Sequence, residues 1–199
     1  MPRTATRRQL LRNALAASAI SSAAVQPAAA ALTTASPQSE SAALSRALSV
    51  ERLVVVAYRD VLSSGLTTAG VSRQLRRLLA QEQEHVAAVE RALRTLGAAI
   101  PPPPASPAAA QSALARHNVN LRLGRLRTQH ECLRLLIDVE SLAEGAYFAA
   151  ISKLSDPNLV RMSVEIMGCE AQHWTVLSDL QRPGDVGRAV PYPFVQGST

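Results

Sequence analysis

The chain has 199 residues, 47% hydrophobic but only 3% aromatic, a size suited to one domain with a real core and an Ala-, Leu- and Arg-rich composition that favours helices. Its formal charge of +6 sits mostly at the start, where Arg3, Arg7, Arg8 and Arg12 precede the first acidic residue, Glu40; beyond residue 30 the balance is 17 basic against 15 acidic, which excludes the concentrated basic face of a nucleic-acid binder. With Cys132 and Cys169 as the only cysteines, a disulfide framework, a cysteine-ligated zinc site and a rubredoxin-type iron centre are excluded as well.

Residues 4–12 read Thr-Ala-Thr-Arg-Arg-Gln-Leu-Leu-Arg, and an apolar, alanine-rich stretch runs on to Val25. Gln-Pro-Ala-Ala-Ala-Ala follows, a small-residue run suited to cleavage near Ala30. The Arg7-Arg8 core resembles a twin-arginine export signal, and the stretch behind it is too short and too interrupted by Ser to span a membrane. Residues 1–30 therefore read as a leader recognised by twin-arginine export machinery, which would place the mature protein in the periplasm or outside the cell. Residues 31–40 read as a flexible spacer.

Four helical segments are expected over 41–182. The first covers 41–63 and stops at Ser64-Gly65; the second opens at Thr67 or Thr68 and runs to Leu96, with Gly97 as its stop. Residues 98–107 hold four consecutive prolines and read as a stiff extended connection. A third helix is expected over 110–154, broken near His117 or Gly124. Asp156-Pro157 is an N-cap with proline at the first helical position, opening a fourth helix that ends before Pro183. The tail, 183–199, is expected to be irregular. Short, long and short connections describe two antiparallel hairpins joined by a long crossover, an all-α four-helix bundle.

Each helix carries a glutamate on its apolar stripe. Glu51 is flanked at three-, four- and seven-residue steps by Leu44, Leu48, Val54, Val55 and Tyr58; Glu140 by Leu133, Leu136, Ile137, Ala143 and Tyr147. Glu82 lies among Leu75, Leu78, Leu79, Val86 and Val89, with His85 one turn on, and Glu170 lies among Ile166, Met167, Trp174 and Leu177, with His173 one turn on. One buried, unpaired carboxylate costs several kcal/mol, and no Arg or Lys lies centrally on these stripes. Two divalent cations would offset four carboxylates, with two neutral imidazoles completing the coordination; iron or manganese suits this mixture, and zinc is admissible. The spacing also repeats: Glu51 to Glu140 and Tyr58 to Tyr147 are 89 residues, Glu82 to Glu170 and His85 to His173 are 88.

This set, Glu51, Glu82, His85, Glu140, Glu170 and His173, resembles the ligand set of the ferritin-like superfamily, which includes rubrerythrin, bacterioferritin and manganese catalase. The resemblance covers about 41–180 and implies a ferritin-like four-helix bundle holding two metal ions, iron first and manganese second. Glu51 and Glu140 would each hold mainly one ion, Glu82 and Glu170 would bridge, and His85 and His173 would cap one ion each. It further implies an oxidoreductase of ferroxidase or peroxidase type acting on dioxygen or peroxide; the competing expectation is a non-catalytic metal-binding or stress-related envelope protein. Rubrerythrin-like proteins carry an extra glutamate where this chain has Ala143; Glu144, one position on, is a candidate substitute but reads better as a solvated edge residue. Tyr58 and Tyr147 read either as core packing or as phenols hydrogen-bonded to ligands. Met162 and Met167 read as core residues, so no haem is expected; a homodimer is allowed. His117, His130 and the runs Arg73/Arg76/Arg77 and Arg122/Arg125/Arg127 read as surface. Helix register separates Cys132 and Cys169 by roughly 13 Å in height, so two free, apolar packing thiols are expected.

Overall fold

The computed structural model describes residues 36–190, and within them the chain is all-helical: α1 Pro37–Ser63, α2 Ala69–Thr95, α3 Pro107–Arg116, α4 Gln129–Ile151, α5 Pro157–Gln181 and α6 Val186–Ala189. The leader at 1–30, the start of the spacer and residues 191–199 of the tail lie outside the described residues.

Local chemistry sets most helix ends. Thr68 caps α2, Thr128 caps α4 and Asp156 caps α5, each side chain accepting from a backbone N–H of the first turn, with Pro157 supplying the fixed φ at the start of α5. At the end of α2, Gly97 takes φ +65°, and Ala98 N donates to Leu93 O at 2.9 Å, closing the last turn in a way a side chain at that position would strain.

Three expectations need correction. α1 begins at Pro37, so the spacer's last residues are helical: Ser36 caps the helix, and the Glu40 carboxylate accepts from Ser155 N (2.7 Å), Ser155 Oγ (2.8 Å) and Asp156 N (3.0 Å). The third segment starts earlier than expected, as α3 at Pro107 on a Ser106 cap, and its expected break near His117 or Gly124 is a full loop, with α4 resuming only at Gln129. Between them Asn118 and Gly124 take left-handed φ (61° and 69°), and the loop is pinned by Gln111 Oε1 accepting from Leu123 N and Asp60 Oδ2 from Gly124 N. The tail contains a one-turn helix at Val186–Ala189, capped by Asp185.

The apolar core lies in two clusters. One joins Val54, Val61, Leu75, Leu133, Leu136 and Leu177; the other joins Leu44, Leu48, Val89, Leu93, Tyr147, Leu159 and Ile166. The C-terminal half of α1, the N-terminal halves of α2 and α4, and the end of α5 share the first cluster, so α1 and α5 run opposite to α2 and α4. That is the direction pattern a long crossover produces. Arg52 ties the crossover down, donating to Pro101 O and pairing with Glu90 at 2.8 Å. Each fully buried Leu or Val stabilises the bundle by roughly 2 kcal/mol. The level between the clusters is where polar groups are buried.

Candidate metal centre

Glu51 (α1), Glu82 (α2), Glu140 (α4) and Glu170 (α5) are all 0% exposed, and His85 and His173 are 8% and 2% exposed. The helices bring all six to one level. His85 Nδ1 lies 2.8 Å from Glu170 Oε1, 3.6 Å from Glu82 Oε2 and 3.9 Å from Glu51 Oε1. His173 Nδ1 lies 2.6 Å from Glu82 Oε1, 3.5 Å from Glu140 Oε2 and 3.7 Å from Glu170 Oε2. Each imidazole thus faces three carboxylates, and Glu82 and Glu170 are common to both. The six divide into two groups able to hold a metal ion, Glu51–Glu82–His85–Glu170 and Glu82–Glu140–Glu170–His173, with ligand atoms within 4.8 Å of one another. The two rings stack with centroids 5.8 Å apart.

The donor atoms fit a metal better than they fit each other. Both oxygens of Glu82 and of Glu170, Oε2 of Glu51 and of Glu140, and Nδ1 of both histidines are buried without a hydrogen-bond partner. The nitrogen–oxygen approaches of 2.6 and 2.8 Å are short enough for hydrogen bonds but lack their alignment. Native interiors rarely leave one such group orphaned, let alone a converging set. The remaining oxygens of the two outer glutamates are occupied: Tyr147 OH donates to Glu51 Oε1 at 2.6 Å, and Tyr58 OH donates to Glu140 Oε1. Both tyrosines are fully buried, so each packs and hydrogen-bonds at once.

Without a metal, protons supply the balancing charge. Burial, reinforced by neighbouring carboxylates, pushes Glu51 and Glu140 well above the usual carboxylate range. At Glu170 the same burial penalty is outweighed by the close approach of the His173 and His85 imidazoles, and its pKa falls to about 2. Burial opposes charge on His85, yet contacts with Cys169, Glu170 and Glu82 carry it up to about 12; His173 is raised for the same reasons.

Two expectations fail here. Glu144 is 8% exposed rather than solvated, and it belongs to neither ligand group. Cys132 and Cys169 are both free, but Cys169 is not an apolar packing residue: one helical turn before His173, its Sγ lies 3.4 Å from His173 Nε2. Gln81 also went unread in the sequence; its Oε1 lies 3.0 Å from the same nitrogen. The signal available for both was their position immediately before Glu82 and Glu170. His117, His130 and the arginine runs are exposed, while Met162 and Met167 pack against the second apolar cluster.

An all-helical bundle with buried carboxylate and imidazole groups able to hold metal defines the ferritin-like class. The chain belongs to the ferritin-like domain family, whose model matches residues 39–183. Among solved structures it is similar to a conserved hypothetical protein, rv2844, from Mycobacterium tuberculosis, at 20% identity and a TM-score of 0.60, covering 72% of this chain and 97% of that one. That likeness concerns the fold. No curated protein matches the sequence.

Proposed function

We propose that this is an exported ferritin-like protein that binds two metal ions, iron in preference to manganese, and uses them to oxidise iron or to reduce dioxygen or peroxide. The supporting observation is the set of eight orphaned donor atoms, six carboxylate oxygens and two imidazole nitrogens, in one buried layer. Glu82 and Glu170, with both oxygens uncommitted, are suited to bridging; Glu51 with His85 would complete one position and Glu140 with His173 the other. Two divalent charges would offset the four carboxylates, and this donor mixture suits iron or manganese. When bound, such a pair supplies adjacent redox centres that together can take up or deliver electrons.

The chain's own groups set the conditions. Tyr147 and Tyr58 hold one oxygen of Glu51 and Glu140, so each of these carboxylates presents its other oxygen inward. The leucine-rich clusters above and below keep water from the layer, which strengthens every charge interaction within it. Export through the twin-arginine route would follow folding, so metal would be acquired in the cytoplasm.

The test is chemical: protein recovered after export is assayed for Fe(II) oxidation and peroxide consumption. Turnover of either that disappears with the metal supports the proposal. Bound metal with no turnover would make the protein a non-catalytic metal binder, and loss of export is expected when Arg7 and Arg8 both become Lys.

A further inference from the structure

The repeat that relates the two hairpins extends one residue beyond the ligands. The offset of 88 that carries Glu82 to Glu170 and His85 to His173 also carries Gln81 to Cys169. Each of these side chains reaches the imidazole of the opposite hairpin: Gln81 Oε1 lies 3.0 Å from His173 Nε2, and the Cys169 thiol lies near enough to His85 that the imidazole is shifted up and the thiol down by their proximity. The symmetry stops there. Cys169 Sγ also touches His173 Nε2, at 3.4 Å, so that nitrogen has an amide oxygen and a sulfur behind it. Among the described residues, the structure shows no oxygen acceptor behind His85.

The difference matters because both rings turn Nδ1 toward the carboxylates. An amide oxygen only accepts, so Gln81 fixes the His173 proton on Nε2 and leaves the Nδ1 lone pair facing inward; it also locks the ring and raises its basicity. A thiol is a weak partner that can act as donor or acceptor, so it holds His85 less firmly in tautomer and orientation. Burial runs the same way, with the His173 side chain 3% exposed and that of His85 10%.

We propose that Gln81 and Cys169 are positioning residues that make the two metal positions unequal: the Glu140–His173 position is the tighter and fills first, and the Glu51–His85 position is the weaker and exchanges. This rests on the two-ion reading above. A partner behind a ligating imidazole is commonly worth about 10- to 100-fold in metal affinity, so the two steps should be separable.

Titration of the metal-free protein with Co(II), followed by its visible absorption, tests this. Wild type should bind two ions in two resolved steps. Gln81→Leu should weaken the first step about 10-fold or more, so that the steps merge while both ions still bind. Gln81→Glu, which keeps an acceptor oxygen, should restore two steps; a purely structural role for Gln81 would not predict that rescue. Cys169→Gln, which places an amide behind His85, should tighten the second step and gives the same test should Gln81→Leu fail to fold. Two ions bound with equal affinity in wild type, or steps unmoved by both substitutions, would overturn the inequality alone. Fewer than two ions bound by folded wild type would instead overturn the two-ion reading.

Discussion

Tyr147 on α4 donates its phenolic hydrogen bond to Glu51 Oε1 on α1, 96 positions away, at 2.6 Å. Tyr58 returns the arrangement, donating from α1 to Glu140 on α4. Each hairpin's tyrosine therefore holds the other hairpin's glutamate, and the two halves of the repeat are laced together at the level of the candidate metal site. Removing a hydroxyl leaves a buried carboxylate oxygen without its donor, which costs about 1–3 kcal/mol. Tyr58→Phe and Tyr147→Phe should each lower the metal-free unfolding free energy by that amount in urea titrations with unchanged m-value, although each replacement keeps the ring. Equal stability of variant and wild type would mean that the rings only pack.

How much of this was readable from sequence follows from the range of each interaction. Thr68, Gly97 and Asp156-Pro157 act on their own helix turn, so local rules place them. The convergence of the six candidate ligands was legible because carboxylates on leucine stripes have no other inexpensive explanation, and because the spacing repeats. Glu40 was hidden, since the donors to its carboxylate lie 115 and 116 residues away, and a glutamate after Ser and Gln reads as spacer. Gln81 and Cys169 are only partly buried, and nothing in a single helix says that a glutamine will meet an imidazole from another. Glu144 was misread because residues one helical turn from a ligand can be buried by neighbouring helices without joining it.

Glu40 provides an acid-sensitive tie. Hydrogen bonds from the Ser155 and Asp156 backbone hold its carboxyl below the usual range. A depressed pKa stabilises the fold at pH above the unfolded value, about 4.3, and that stabilisation is lost as pH falls through the folded value. Glu40→Ala should therefore destabilise the protein by about 2 kcal/mol at pH 7, and the gap between variant and wild type should close as the pH is taken below about 4. A gap that stays constant in acid would show that the carboxylate's charge has no part in holding the α4–α5 turn.

Metal and protons should compete for the same atoms. In the metal-free site His85 is carried up to about 12 and His173 is also raised, so both imidazoles hold protons at neutral pH that ligation must displace. Binding heats measured in buffers of different ionisation enthalpy should show proton release, and affinity should rise between pH 6 and pH 8. The sign reverses for the empty protein: raised imidazole pKa values stabilise it fully below about pH 6.5, and that stabilisation declines as pH rises toward the folded values. The metal-free protein should thus lose stability from pH 6.5 to 9. Binding heats that are identical in all buffers would contradict this account of the site's charge.

The most direct test of the two-ion site is the metal content of the folded chain. Protein loaded anaerobically with Fe(II), freed of excess metal and measured by plasma mass spectrometry should carry two ions per chain. The double variant Glu82→Ala/Glu170→Ala, which removes both shared carboxylates, should carry none while remaining helical. Folded wild type that retains no metal, or a double variant that still retains two ions, would contradict the account.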